Sequence, residues 1–574
     1  MCGMLESNRR CGRSDRRLSA HVACRQSSRD CPLCLATAPG TYPNVCSGHC
    51  VQWNFSHFAL GPNSLFHHGF VQLTEKEDPY SYYRGKSESF FFMTNKERVG
   101  RLLWVGTPVG ALFGTLLYYY LEDQKKFKAQ EASRLAEGDE HTITNWSGTH
   151  EVTTKRFYQP TTLAELEEYV AKAHRDKTRL RVVGAALSPN GIGLDAEGMI
   201  SMALMDRVLS VDTKKMQVTV EAGARVSQVI DALRPYGLTL QNLASIDAQQ
   251  IGGFMSVSAH GTGATLPPVD QQVVSYTLVT PGQGTLRLTA NDPLDLSKAM
   301  LEERAFDMAR VGLGALGVVA EVTLQCVPAH QLHERTWVTT MAEVEKQHVQ
   351  LVTKNRHIRY MWIPYTDAVV VVASNPVTWW SKWLLGSKLK GNQLPMQQKL
   401  GPMRALLQEH GVVADPESSL PQLRDELLKI DPLNVEHVKK VNRAEAACWG
   451  NLQGERVEWT DRVLGFECGG QQWVSEVCFP AGSQGTPNGR DLEYAKNVLR
   501  LIENHQIAAP APLEQRWTAA SSAPMSPAHS RTKDDVFSWL GIIMYLPPDD
   551  ADQRLQITDA FTRYKEVTPP VSLA

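Results

Sequence analysis

The sequence carries no excess of either charge: 59 Lys and Arg stand against 61 Asp and Glu over 574 residues, a net charge of −2. Nucleic-acid binding requires a basic face, so the chain has no global drive toward DNA or RNA. Cysteine is too sparse for a disulfide-built secreted scaffold: 11 in all, seven of them (Cys2, Cys11, Cys24, Cys31, Cys34, Cys46 and Cys50) within the first 50 residues. The glycine-bearing stretch Val182–Gly193 lacks three glycines at the spacing of the dinucleotide fingerprint before a helix, and no Walker A sequence occurs. There is no internal repeat of fixed period. No apolar run closely follows the first Met, which argues against a cleavable secretory signal. With 43% hydrophobic and 21% charged residues, wholesale disorder is excluded too.

What is present is unevenly spread. The first 60 residues hold seven Arg, no Lys, and only Glu6, Asp15 and Asp30 as acids. Such an Arg- and Ser-bearing, acid-poor start reads as an organelle transit segment. Cys31 and Cys34 could instead begin a zinc site, but no second pair with suitable spacing is obvious, and no metal is expected. From Leu102 to Leu121 run 20 residues without a charge, about the length that crosses a bilayer core as a helix. Trp104 at one end and Tyr118, Tyr119 and Tyr120 at the other suit the two interfaces, and Gly106, Gly110 and Gly114 recur every four residues. The alternative is a buried helix or the apolar part of a longer presequence. Basic residues flank both sides, so orientation stays open.

After a polar linker, strands, helices and glycine turns alternate from Asn145 onward. Apolar spacing predicts helices over Leu163–His174, Val226–Leu233, Leu420–Leu428 and Leu492–Ile502. Strands are expected at Leu180–Val183, Val208–Val211, Gln217–Glu221, Val318–Val327 and Ala368–Ala373.

Three segments carry chemistry. In VVGAALSPNGIG, Val182–Gly193, a strand ends in small residues, so backbone N–H groups can approach a bound anion such as a pyrophosphate. Taken alone it reads as an ordinary turn. NLASIDAQQIGGFMSVSAHGTGA, Asn242–Ala264, combines Gly, Ala and Ser with one His, letting backbone pass close to a flat ligand while hydroxyls supply hydrogen bonds. The plain alternative is a small-residue helix and turn in a core, with His260 a satisfied structural histidine. RVGLGALGVVAEVTLQC, Arg310–Cys326, places glycines before a buried strand. Further on, LEQRWT sets Glu514 and Arg516 on one face of a strand by its period of two. A carboxylate can take a hydroxyl proton and a guanidinium can hold developing negative charge, although a surface ion pair is the commoner meaning.

Together these motifs resemble the vanillyl-alcohol oxidase, or p-cresol methylhydroxylase (PCMH)-type, flavoproteins, and within them the plant-type L-galactono-1,4-lactone dehydrogenases. The residues that carry the resemblance are NWSGTHEV from Asn145, LSPNGIGL, SIDAQQIGG, AHGTGA, FECGGQQWVSEVCFPAG, PAPLEQRWTA and DDVFSWLGIIMYLP ending at Pro547, about 400 residues in all. The resemblance implies an α+β fold: a two-subdomain PCMH-type FAD-binding domain over 149–328 and a substrate (cap) domain over 329–574. Ahead of these stand a leader (1–100), a membrane-segment candidate (101–122) and a linker (123–148).

It implies FAD held along Val183, Gly184, Ala185, Ala186, Leu187 and Ser188, by Ala244, Ser245, Ile251, Gly252, Gly253, Ser256, His260, Gly261 and Thr262, and by Gly317 and Val318. Many relatives bind the flavin covalently through a His where this chain has Leu187, so binding here is expected to be non-covalent. Ala244 matches the position whose methyl group restricts oxygen, implying a dehydrogenase that passes electrons to cytochrome c. Glu514 and Arg516 match the active-site pair, and Cys468 a thiol near the substrate. The implied reaction is oxidation of an aldonolactone, L-galactono-1,4-lactone, to L-ascorbate at the mitochondrial inner membrane, facing the intermembrane space. The alternatives are a non-catalytic assembly role with respiratory complex I intermediates and an aldonolactone oxidase. The family continues well beyond Pro547, with a His-Trp segment near the flavin, where this chain ends in VTPPVSLA; weakened catalysis and packing are the expected consequence.

Overall fold

Two short strands open the described part of the chain: β1 (His141–Thr144) and β2 (Glu151–Thr154) pair antiparallel. The structure is a computed structural model that describes residues 138–290, 305–378, 394–465, 469–547 and 550–568. The leader, the Leu102–Leu121 run and Cys468 lie outside the described residues. Among the described residues no helix is long and apolar enough to cross a membrane.

Strands β3 (Phe157–Tyr158), β4 (Arg181–Val183) and β5 (Met199–Ser201) make a parallel sheet in the order β3-β5-β4. Helix α1 (Leu163–Asp176) carries the chain from β3 across to β4, which lie on opposite sides of β5. Thr162 caps α1 by accepting the Glu165 N–H, and Leu166, Val170 and Ala173 form its buried stripe. A six-stranded antiparallel sheet follows, built from β6 (Val208–Asp212), β7 (Gln217–Glu221), β8 (Leu238–Leu240), β9 (Val273–Thr280), β10 (Gly284–Thr289) and β11 (Val318–Pro328). Its order is β10-β9-β11-β7-β6, with β8 on the far end of β11. Helices α2 (Val226–Leu233) and α3 (Ile251–Ser256) pack into the same core, where Leu166, Ile200, Val220, Val229, Ile251 and Val322 meet. Both sheets therefore share one apolar interior.

The chain then builds an eight-stranded antiparallel sheet in the order β15-β12-β14-β13-β18-β19-β16-β17. Its strands are β12 (Gln331–Thr340), β13 (His357–Trp362), β14 (Ala368–Pro376), β15 (Gly454–Trp459), β16 (Gln472–Ser483), β17 (Thr486–Pro487), β18 (Leu513–Ala519) and β19 (Asp535–Tyr545). Between them lie α4 (Met341–Lys354), α5 (Gly401–Glu409), α6 (Leu420–Ile430), α7 (Val435–Leu452) and α8 (Arg490–Asn504), and α9 (Ala551–Val567) follows β19. Side chains alternate across a strand, so this sheet has two unlike faces. One face buries Tyr360, Trp362, Trp517, Leu540 and Ile542 under Val344 of α4, Val498 of α8 and Phe561 of α9. The other carries Arg359, Glu514, Arg516 and Trp539, and α5–α7 form a helical core beside it around Leu407, Leu427 and Val441. The fold is a mixed α/β one, and the predicted helices and strands lie where the periodicity put them, with ends shifted by a few residues.

His357 ties β13 to the AHGTGA segment: its Nδ1 lies 2.9 Å from the Thr262 carbonyl in a buried setting. Burial pushes its pKa down to about 4, with only partial relief from that hydrogen bond. The sign follows directly. Between about pH 6.5 and 4 the unfolded chain takes up a proton here that the folded chain refuses, so stability present above pH 6.5 is lost as pH falls, by about 3 kcal/mol from this residue. His357→Gln should flatten that part of the profile in urea unfolding at pH 7.5 and 4.5. An unchanged pH dependence in the variant would remove His357 from the account.

Candidate active site

A cavity of about 440 Å³ lies where the loop after β4, the segment through α3, the turn before β11 and the eight-stranded sheet converge. That is within the size range of small-molecule sites, about 300–1,000 Å³.

The loop after β4 is held from outside. The Trp146 N–H donates to the Ala186 carbonyl (2.9 Å), Asn145 Nδ2 to the Ser188 carbonyl (2.8 Å) and Thr149 Oγ1 to the Pro189 carbonyl (2.7 Å). Asn145 is itself fixed, its Oδ1 accepting the N–H groups of Thr149 and His150. The carbonyls are thus spoken for, while the N–H groups of residues 185–188 donate to no acceptor among the described residues. Ala186 takes the left-handed conformation, φ +50°. Successive free N–H groups around such a residue make an anion-binding concavity. Across the cavity, Gln250 is buried and Gln249 half-buried, and the side-chain carbonyl oxygens of both are buried without a partner among the described residues. Gly184 admits Gln250 closely, since a Cβ there would stand 3.1 Å from its Oε1. Gly317, at φ +153°, lets the turn before β11 press on the Val279 carbonyl, which a Cβ would meet at 2.5 Å.

The sheet supplies the charged part. Across the strands Arg359, Arg516 and Trp539 lie in one row, and Glu514, Gly541 and Glu476 in the next. Gly541 leaves the space between the two carboxylates free of a side chain. Arg516 reaches both, Nη2 to Glu476 Oε1 at 3.3 Å and Nε to Glu514 Oε2 at 3.8 Å, and its Nη1 lies 3.5 Å from Ser245 Oγ. Arg359 Nη1 stands 3.4 Å from Glu514 Oε1, and His260 Nε2 is 3.0 Å from Glu476 Oε2. Burial pushes the Glu476 carboxyl up, but the charges of His260 and Arg516 outweigh it and hold the group at about 2.

Residues 154–289 match the family described as FAD binding domain, and residues 322–397 match D-arabinono-1,4-lactone oxidase. The chain is 50% identical over 486 residues to the mitochondrial L-galactono-1,4-lactone dehydrogenase of Arabidopsis thaliana, covering 81% of this chain and 78% of that one. The chain belongs to the L-galactono-1,4-lactone dehydrogenase family. A rice member, L-galactono-1,4-lactone dehydrogenase 2, is 51% identical over 75% of this chain and 73% of its own. The L-gulonolactone oxidase of Bos taurus is 29% identical over 70% and 81% of the two chains. Among solved structures, a cholesterol oxidase of B. sterolicum superposes with a TM-score of 0.52 at 15% identity, covering 76% of this chain and 84% of that one, a likeness of fold alone.

FAD is the cofactor of this family fold, and the site has the chemistry to hold it: free backbone donors for a pyrophosphate and unpartnered amide carbonyls for ribose or ring N–H and O–H groups. Of the residues singled out in the sequence, Val183, Gly184, Ala185, Ala186, Leu187, Ser188, Ala244, Ser245, Gly252, Gly253, Ser256, His260, Gly317 and Arg516 line the cavity. Ile251 and Val318 turn instead into the apolar core. Gly261 and Thr262 border a much smaller hollow that also touches Ser245, Arg359 and Arg516. Glu514 stands behind Arg516, joined to the cavity through that side chain. Sequence reasoning missed Gln472, Val474 and Glu476, which line the cavity from alternate positions of β16, and Trp539 on β19. The period of two in QWVSEV groups the first three on one face of β16, but does not by itself say which face meets the cavity.

Proposed function

We propose that this chain oxidises L-galactono-1,4-lactone to L-ascorbate, with FAD bound non-covalently over 149–328 and the lactone over 329–574. The observation that carries this reading is a single cavity lined both by the free N–H groups of 185–188 and by the guanidinium of Arg516. FAD, when bound, would supply the acceptor for a hydride leaving the substrate carbon beside the lactone carbonyl. Glu514 would take the proton of that carbon's hydroxyl, so that hydride and proton loss leave a keto-lactone whose enediol tautomer is L-ascorbate, and Arg516 would hold the lactone and balance the negative charge the hydride carries away. Arg359 and Arg516 flank Glu514 and keep it oriented. Leu187 offers no nitrogen to a flavin, so attachment through this position is ruled out by its chemistry. The Ala244 methyl narrows access of oxygen beside the ring in a close-packed wall, which favours a protein electron acceptor, cytochrome c.

Relatives named mitochondrial support the same compartment for this chain. We place it at the inner membrane, facing the intermembrane space, with the uncharged run Leu102–Leu121 as the sequence support for an anchor.

The deciding experiment is purification of the 574-residue chain, precipitation in acid, and assay of lactone-dependent cytochrome c reduction. Free FAD in the supernatant and lactone-dependent turnover are the expected results. Yellow colour kept by the precipitate would end the non-covalent claim, and bound flavin without turnover would favour the assembly role with respiratory complex I.

A further inference from the structure

His260 faces two acceptors. Its Nδ1 is 3.0 Å from the Gly261 carbonyl oxygen, and its Nε2 is 3.0 Å from Glu476 Oε2. A carbonyl oxygen only accepts, and an ionised carboxylate only accepts, whereas a neutral imidazole has one N–H to give. Both contacts are hydrogen bonds only when the ring carries two protons. The third neighbour agrees: the imidazole lies flat on the Trp539 indole, centroids 3.8 Å apart and planes 14° from parallel. An indole face attracts a cation.

We propose that His260 is a standing imidazolium, held by Glu476, the Gly261 carbonyl and the Trp539 face, and that its charge favours the reduced form of FAD bound in this cavity. The cavity part of this inference rests on the flavin reading above. The charged groups around His260 come from every strand packed against it: Glu476 on β16, Arg516 on β18, and one contact further Glu514 on β18 and Arg359 on β13. With His260 protonated, three cations meet two carboxylates and one positive charge is left over. With His260 neutral, none is. A hydride from the substrate brings two electrons and one proton, and therefore one negative charge, into a cavity lined by His260, Glu476 and Arg516. A surplus positive charge there stabilises that product, strongly so where water is scarce. In this arrangement Glu476 acts as the counter-ion that keeps the proton on His260 rather than as a base.

Two substitutions separate the possibilities because they change the charge differently. His260→Asn removes the cation and leaves Glu476 in its bond to Arg516. Glu476→Gln removes one negative charge and also releases the His260 proton, so the net charge stays as it was. The experiment is a dye-coupled redox titration of the FAD-loaded full chain at pH 7.5, together with ¹⁵N spectra of histidine-labelled protein. H260N should shift the oxidised-to-reduced balance at least tenfold toward oxidised, about 30 mV for a two-electron couple, and E476Q should move it less than about threefold. The ¹⁵N spectra should show a histidine with both nitrogens protonated in the wild type, absent from both variants. The reverse pattern, H260N silent and E476Q tenfold toward reduced, would overturn the proposal. So would wild-type spectra containing only singly protonated rings. A purified chain without flavin would defeat the functional reading and the redox half of the inference, while the ¹⁵N signals would still decide the imidazolium.

Discussion

Arg516→Met should lower the turnover of lactone by about 10²–10³-fold, the usual cost of removing a preorganised donor from a site of developing negative charge. The side chain is set for that task by its strand and its partners. Strand β18 is interior to the eight-stranded sheet, bonded on one side to β13 and on the other to β19, so its backbone has little freedom. Glu514 and Glu476 hold the guanidinium from two directions, and only 14% of its side chain is exposed. Met keeps most of the aliphatic length and removes the fork of N–H donors. Arg516→Lys should recover little, because an ammonium is a point charge and cannot reach two carboxylates and a ligand oxygen in one plane. Both variants should fold and keep FAD, since none of the free donors of residues 185–188 is touched. Steady-state cytochrome c reduction, with the flavin spectrum and thermal unfolding as controls, checks this. A loss smaller than tenfold in Arg516→Met would mean that the guanidinium only pairs with its neighbours.

Much of this site is legible in the sequence. The alternation in LEQRWT put Glu514 and Arg516 on one face because a strand allows no other arrangement, and the small residues after β4 announced a backbone approach. The same rule applied to QQWVSEV leaves two answers, and local pattern cannot choose between them. The choice is made far away: Trp473 stacks on Phe561 of α9, and its Nε1 donates to Thr558. That turns Gln472, Val474 and Glu476 toward the cavity. Likewise the pairing of His260 with Glu476 joins residues 216 apart in sequence, and its partner Trp539 comes from a third segment. Ile251 and Val318 show the limit from the other side. They sit inside flavin-loop motifs, yet hydrophobic burial takes their side chains into the core while their glycine neighbours face the cavity.

The face of β18 turned away from the cavity leads to the second large effect, which is on stability. Asp491→Ala should cost about 3–5 kcal/mol of folding free energy, the range for removing one partner of a buried polar pair. Asp491 is fully buried at the start of α8, and Oδ2 accepts from Trp517 Nε1 at 2.7 Å and meets His348 Nε2 at 3.0 Å. Its backbone carbonyl accepts from Gln515 Nε2, and Gln515 in turn contacts Trp362 and Ser538. Gln515 and Trp517 interleave with Glu514 and Arg516 along the same strand, so this network fixes β18 from behind the site. Alanine would leave an indole N–H and an imidazole nitrogen in apolar surroundings that offer no replacement acceptor, and a cavity as well. Trp517→Phe alone should be costly because it orphans part of the carboxylate. Made in the Asp491→Ala background it should cost far less, because the indole N–H has already lost its acceptor. Urea unfolding of the two single variants and the double variant measures this coupling. Additive losses, or a loss below about 1 kcal/mol in Asp491→Ala, would show that the network does not hold the strand that carries Arg516.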